Sequence, residues 1–232
     1  MFTVFIVSTL LFSFSSFAQS VGDYRSTVTG SWATRTIWER YNGATWATPT
    51  IGEGYPGQYL GTGTVTIQNG HTVTLNASPA QQLGALVVQG SYTTNNTRTI
   101  TLSGDLTIAN TGSMNLNRSR ITVNGVTYVN GSLTDNNNDG WAVFVGSFNV
   151  SATGSFTTAN SSALTFRGGI VNDGTFNKTG TGLVTFDTNN QSLSGNSPIT
   201  MNNQIRVTGV TLYNHLSELY LTIAIASQIK CT

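Results

Sequence analysis

The residues best placed by type and spacing to do chemistry lie in the stretch LTDNNNDGW (133–141), where Asp135, Asn137 and Asp139 stand at alternate positions just before Gly140. Calcium loops use this arrangement: oxygen ligands at the first, third and fifth positions converge because a glycine at the sixth lets the chain turn sharply. The bidentate acid expected at the twelfth position falls on Gly146. Half a ligand set holds calcium weakly, in the millimolar range of extracellular modules. The stretch therefore reads as a weak calcium site or, more simply, as a solvated corner; no other cofactor is implied.

The remaining acids are Asp23, Glu39, Glu53, Asp105, Asp173, Asp187 and Glu218. Glycoside hydrolysis needs two carboxylates about 5–10 Å apart, and no pair declares itself, so no catalytic residue is assigned. His71 sits in an Asn-Gly-His turn without a Cys, Asp or Glu nearby in sequence. GEGYPG (52–57) matches a phosphate-binding glycine pattern only as letters, because Pro56 and the lack of a following helix rule out the cradle. Trp32, Trp38, Trp46 and Tyr41 form the one aromatic cluster. They read as the cover of a sheet end or, more sharply, as a platform for stacking sugars, which requires at least two coplanar, exposed rings.

Composition narrows the setting in which such groups would act. Only 8% of the 232 residues are charged and the net charge is +1, while 38% are hydrophobic. That is about a third of the usual charged share. Without a basic run there is no electrostatic footprint for nucleic acid or anionic lipid. The single Cys231 forms no internal disulfide, so packing alone must hold the fold.

The elements that position these residues repeat. LVVQGSYTT (86–94), IANTGSMNL (108–116), YVNGSLTDN (128–136), VSATGSFTT (150–158) and IVNDGTFNK (170–178) share a glycine, a hydroxyl residue and a large apolar residue. Their glycines, Gly90, Gly112, Gly131, Gly154 and Gly174, recur at a period near 21. A second set interleaves: TITLSG, RITVNG, WAVFVG and ALTFRG, ending at Gly104, Gly125, Gly146 and Gly168. Within it the residues two and four before the glycine are apolar, the period-two pattern of a strand with one buried face. Thr101, Thr122 and Thr165 then point outward, in a rank broken by Val143, and the neighbouring Thr99, Arg120, Trp141 and Ala163 make no second rank of the kind that would order ice.

Short strands recurring every ~21 residues predict an all-β chain, a right-handed parallel β-helix. The alternative is an antiparallel β-sandwich, which should show two-residue Asn-Gly hairpin signals more regularly. A single rung buries too few apolar side chains to offset the ordering of its backbone, so stability comes from stacking at least about three rungs. Glycine is expected at the corners because it tolerates positive φ, with Asn110, Asn130 and Asn172 suiting the same left-handed bends.

The organisation along the chain follows. Residues 1–18, MFTVFIVSTLLFSFSSFA, read as a signal peptide ending on Ser16-Phe17-Ala18, although the segment lacks a Lys or Arg. No second apolar run reaches the ~20 residues of a membrane span. Residues 19–60 read as an aromatic β cap with an Asn42-Gly43 hairpin turn pairing Tyr41 with Ala44 and Glu39 with Trp46. Residues 61–212 hold the repeats, and 213–232 form an atypical tail, read as a helical cap or as a truncated or frame-shifted end.

Three passages, GSWATRTIWER (30–40), GTVTIQNGHTVTLN (63–76) and VTFDTNNQSLSGNSPITMNNQIRVTGVTL (184–212), resemble secreted, adhesin-like β-helix proteins that Bacteroidetes export by type IX secretion. The second is also faintly similar to the start of G8-type domains. The resemblance implies a secreted or cell-surface location and a non-enzymatic role as stiff spacer or contact surface, with extracellular glycans or cell-surface proteins as partners. The two other functions held open are a carbohydrate-binding module built on the N-terminal aromatics and a polysaccharide-degrading β-helix.

Overall fold

The computed structural model describes residues 19–135, 140–159, 161–202, 204–222 and 230–231, and side chains as far as residue 220. The expected signal segment, 1–18, lies outside the described residues. The chain is all-β and winds as a β-solenoid of about 7 turns, ~21 residues each. Among the described residues every strand pair is parallel except Tyr24–Ser26 with Trp38–Tyr41 and Trp38–Tyr41 with Trp46–Ala47, so the antiparallel sandwich is excluded.

Three sheets wall the solenoid among the described residues, the third beginning a rung later than the other two, at Thr99. The first carries Thr64–Ile67, Ala85–Val88, Leu106–Ile108, Thr127–Val129, Phe148–Val150, Ile170–Asn172 and Gln191–Ser194. The second carries Thr72–Leu75, Ser91–Thr94, Ser113–Asn115, Ser132–Asp135, Ser155–Thr158, Thr175–Lys178 and Ile199–Asn202. The third carries Thr99–Leu102, Arg120–Val123, Trp141–Phe144, Ala163–Phe166, Val184–Phe186 and Ile205–Val207. The first glycine-marked set straddles the corner between the first and second sheets, and the second set ends the strands of the third. The first sheet is a separate face that the sequence pattern merged with its neighbours.

Alternation sorts side chains as expected: Ile100 and Leu102, Ile121 and Val123, Ala142 and Phe144, and Leu164 and Phe166 are buried beneath outward Thr101, Thr122, Val143 and Thr165. In mid-solenoid the core is aromatic. The Phe148 ring lies 4.7 Å from Phe144, 5.1 Å from Phe156, 5.4 Å from Phe166 and 5.9 Å from Phe176, mostly edge to face, the arrangement that ring quadrupoles favour.

The corner glycines have a different cause from the one expected. None of the repeat glycines Gly90, Gly112, Gly131, Gly154, Gly174, Gly104, Gly125, Gly146 and Gly168 has a positive φ, and neither do Asn110, Asn130 or Asn172. Steric closeness decides instead: a Cβ on Gly154 would stand 1.9 Å from the Val129 carbonyl oxygen, and one on Gly112 2.0 Å from that of Val88. Consecutive rungs stack so tightly at these corners that no side chain fits.

The N-terminal cap is part of the solenoid. Tyr24–Ser26 joins the first sheet parallel to Thr64–Ile67, and Gly30–Ser31 joins the second beside Thr72–Leu75. The hairpin register differs from expectation: Tyr41 pairs with Trp46 and Arg40 with Ala47. Asn42 Oδ1 accepts from the N–H groups of Ala44 (3.0 Å) and Thr45 (2.9 Å), closing a four-residue loop rather than a two-residue turn. At the other end the ladder continues past 212, with Leu212–Asn214 on Gln191–Ser194, Leu219–Thr222 on Ile199–Asn202, and Lys230–Cys231 on Leu212–Asn214. The described part of the tail is strand, not a helical cap.

Candidate functional site

The aromatic cluster divides. Trp32 and Trp38 are fully buried, their rings edge-on at 5.1 Å. Trp32 Nε1 donates to the Pro56 carbonyl (2.9 Å) and Trp38 Nε1 to that of Trp32 (2.8 Å). Both polar ends being satisfied, the two indoles plug the first rung and offer no face to a sugar. Tyr41 and Trp46 are half-buried on the outer face, 5.4 Å apart and tilted by 52°. The Arg25 guanidinium lies over Trp46 at 4.5 Å and pairs with Glu39 at 2.7 Å. One indole face is thus taken by a cation–π contact, and the two rings are not coplanar.

The half calcium loop is likewise redistributed. Asp135 ends its strand with the side chain turned inward, 2% exposed; Asn137 and Asp139 lie outside the described residues. In the ladder Asp135 stacks on Thr158, and Thr158 on Lys178, all three buried. Lys178 Nζ donates to the Gly180 carbonyl. Burial pushes the Lys178 amine down to about 8, with the Asp135 charge opposing part of that shift. The acid of the presumed metal loop therefore serves an interior polar column. Sequence reasoning missed Lys178, although TFNK places it two residues from the inward Phe176.

Other titratable groups stand apart. Among the described residues no three of His, Cys, Asp and Glu converge as a metal site. Arg167 grips Asp187 at 2.7 Å and holds its carboxyl below the usual range. Glu53 is lowered by the Thr50 N–H (2.7 Å) and then by Arg40 (2.7 Å). His71 Nδ1 lies 2.9 Å from Ser26 Oγ, a hydroxyl–imidazole pair. Ser26 is fully buried and its oxygen also accepts from the Gln68 N–H at 2.9 Å, so the pair ties the first rung to the turn and presents no accessible nucleophile.

The outward faces are where the solenoid meets its surroundings. On the second sheet two ranks run in register: Thr72, Ser91, Ser113, Ser132, Ser155 and Thr175 in one, Thr74, Thr93, Asn115, Thr134, Thr157, Asn177 and Thr200 in the other. No charge interrupts either rank. The third sheet carries Thr101, Thr122, Val143, Thr165 and Thr185 beside Thr99, Arg120, Trp141 and Ala163. Among the described residues no helix is long and apolar enough to cross a membrane.

No family model, no curated protein and no solved structure matches this chain.

Proposed function

We propose that this chain is a secreted, non-enzymatic β-helical segment of a cell-surface or adhesin-like protein, acting as a stiff spacer and contact surface. The observation that carries the reading is the pair of uncharged hydroxyl and amide ranks on the second sheet, continuous over successive rungs. Parallel strands about 4.8 Å apart give about 7 turns a length of roughly 34 Å, with each rung locked to the next. The apolar 1–18 segment and its Ser-Phe-Ala ending support export. Intact cells of the source organism, treated with protease and probed with an antibody to residues 19–222, test this: release of the chain is expected, and recovery from the cytosol alone would refute it.

A polysaccharide-degrading role draws no support from the acids, since Asp105, Asp135, Asp173 and Asp187 occupy four different situations in the rung. Asp105 accepts from the Val126 N–H (2.8 Å), Asp173 from Asn196 (2.9 Å), Asp187 pairs with Arg167, and Asp135 lies inside. Release of sugars from polysaccharides by the purified chain would overturn the non-enzymatic reading.

A further inference from the structure

The outer face of the third sheet holds the feature that the spacer role does not use. At its N-terminal edge, Pro79, Ala80, Gln81 and Gln82 line, with Thr99 and Thr101, a half-open cleft of about 330 Å³, within the size range of small-ligand sites. The segment that carries them is fixed at three points. Ser78 Oγ accepts from the Thr99 N–H (3.0 Å), the Leu83 N–H donates to the Thr101 carbonyl (2.9 Å), and the Gln81 N–H donates to the Gly57 carbonyl (2.8 Å). A wall held this way is ordered before any ligand arrives, which lowers the entropic cost of binding. Beyond the cleft, the column that begins at Thr99 continues through exposed Arg120 to half-buried Trp141, and then meets the small, exposed Ala163. Two rung steps separate Thr99 from Trp141, roughly 10 Å, the reach of a short oligosaccharide.

We propose that this cleft and the Arg120–Trp141 column bind a neutral pyranose oligosaccharide. The chemistry fits in each part. Two amides and two hydroxyls, all uncharged, line the cleft and offer paired donors and acceptors to ring hydroxyls. The Arg120 fork donates to a neighbouring residue, and the Trp141 indole takes the C–H face of a pyranose, an apolar surface edged by polar groups. This deepens the contact-surface reading above, and it places sugar recognition at a face other than the N-terminal cap.

Titration of the purified chain with cellohexaose, laminarihexaose, mannohexaose and chitohexaose, followed by tryptophan fluorescence and calorimetry, tests the site. One of the four is expected to give a saturable response with Kd in the millimolar range or tighter. Trp141→Ala and Gln81→Ala should each weaken it about tenfold, while Trp46→Ala leaves it unchanged. Gln82→Ala and Thr99→Val, at exposed positions, carry the same expectation should Trp141→Ala fail to give the wild-type circular dichroism. No saturable response to any of the four at millimolar concentration, a response lost in Trp46→Ala but kept in the cleft variants, or tighter binding of hexagalacturonate than of every neutral sugar would each overturn the proposal. Those outcomes leave the cell-surface reading standing, because protease shaving tests it separately.

Discussion

The buried Lys178 makes stability rise with pH in the alkaline range, where a lysine held charged by a salt bridge would make it fall. Its amine titrates near 8 when folded, against 10.5 for the free side chain. The sign follows from proton counting: between these values the unfolded chain binds the proton and the folded chain does not, so stability rises with pH. Below pH 8 both states are protonated and the full cost of burying the charge is present, about 3 kcal/mol at 1.36 kcal/mol per unit. By pH 9.5 roughly 2 kcal/mol of that is recovered. Tyr24 and Tyr92, whose hydroxyls burial pushes upward, act in the opposite sense, but only as the pH approaches 10, the ordinary tyrosine value. Urea melts of residues 19–232 at pH 7 and pH 9.5 are expected to show this rise, and Lys178→Met should lack it. Equal unfolding free energies at the two pH values, or a rise that persists in Lys178→Met, would refute the placement of the amine in the interior.

The remaining expectations concern packing and the loop. Gly154→Ala should destabilise by about 3 kcal/mol, because its Cβ has a carbonyl oxygen 1.9 Å away and overpacking forces the rungs apart; Gly52→Ala, with nothing within 4 Å, should be neutral in the same thermal melts. Phe148→Ala should cost about 3–5 kcal/mol by urea unfolding, as its ring is the hub of four others. Trp38→Ala should lower Tm and promote aggregation by light scattering, since it uncovers the first rung, whereas Trp46→Ala should shift Tm little. Millimolar calcium should leave Tm unchanged, because the Asp135 carboxylate is turned into the interior; a rise that Asp135→Asn abolishes would restore the metal loop.

Much of the architecture was legible in the residues because a stacked fold repeats its local rules. The period near 21 and the inward alternation in TITL, RITV, WAVF and ALTF are the third sheet, pair for pair. The first sheet was hard to separate because most of its strands are three residues long and lack a glycine of their own, as in LTI, TYV and FNV. Hairpin register was misread because Asn-Gly favours a two-residue turn, while here the Asn42 side chain satisfies two N–H groups and widens the loop. Glycine periodicity was visible but its cause was not. A left-handed bend and a forbidden Cβ leave the same letter in the sequence, and only the distance to the previous rung tells them apart.

The interior polar column marks the limit of reading one segment at a time. Alternation alone places Asp135 on the side of Leu133, and Lys178 on the side of Phe176, which are core residues. Motif reasoning overrode that signal at Asp135, because the DNNNDG spelling reads as a solvated corner or a weak calcium loop, and both lie at the surface. That Asp135, Thr158 and Lys178 share a column follows only from register, through pairings that join residues 23 and 20 positions apart. A charge buried in such a column costs several kcal/mol unless paired and hydrogen-bonded, so its two ionic members depend on each other across the intervening rung. The same register that hides the column in the sequence also aligns Thr99, Arg120 and Trp141 on the outside. In a solenoid, interior and exterior sites alike are assembled across rungs, from residues about one period apart.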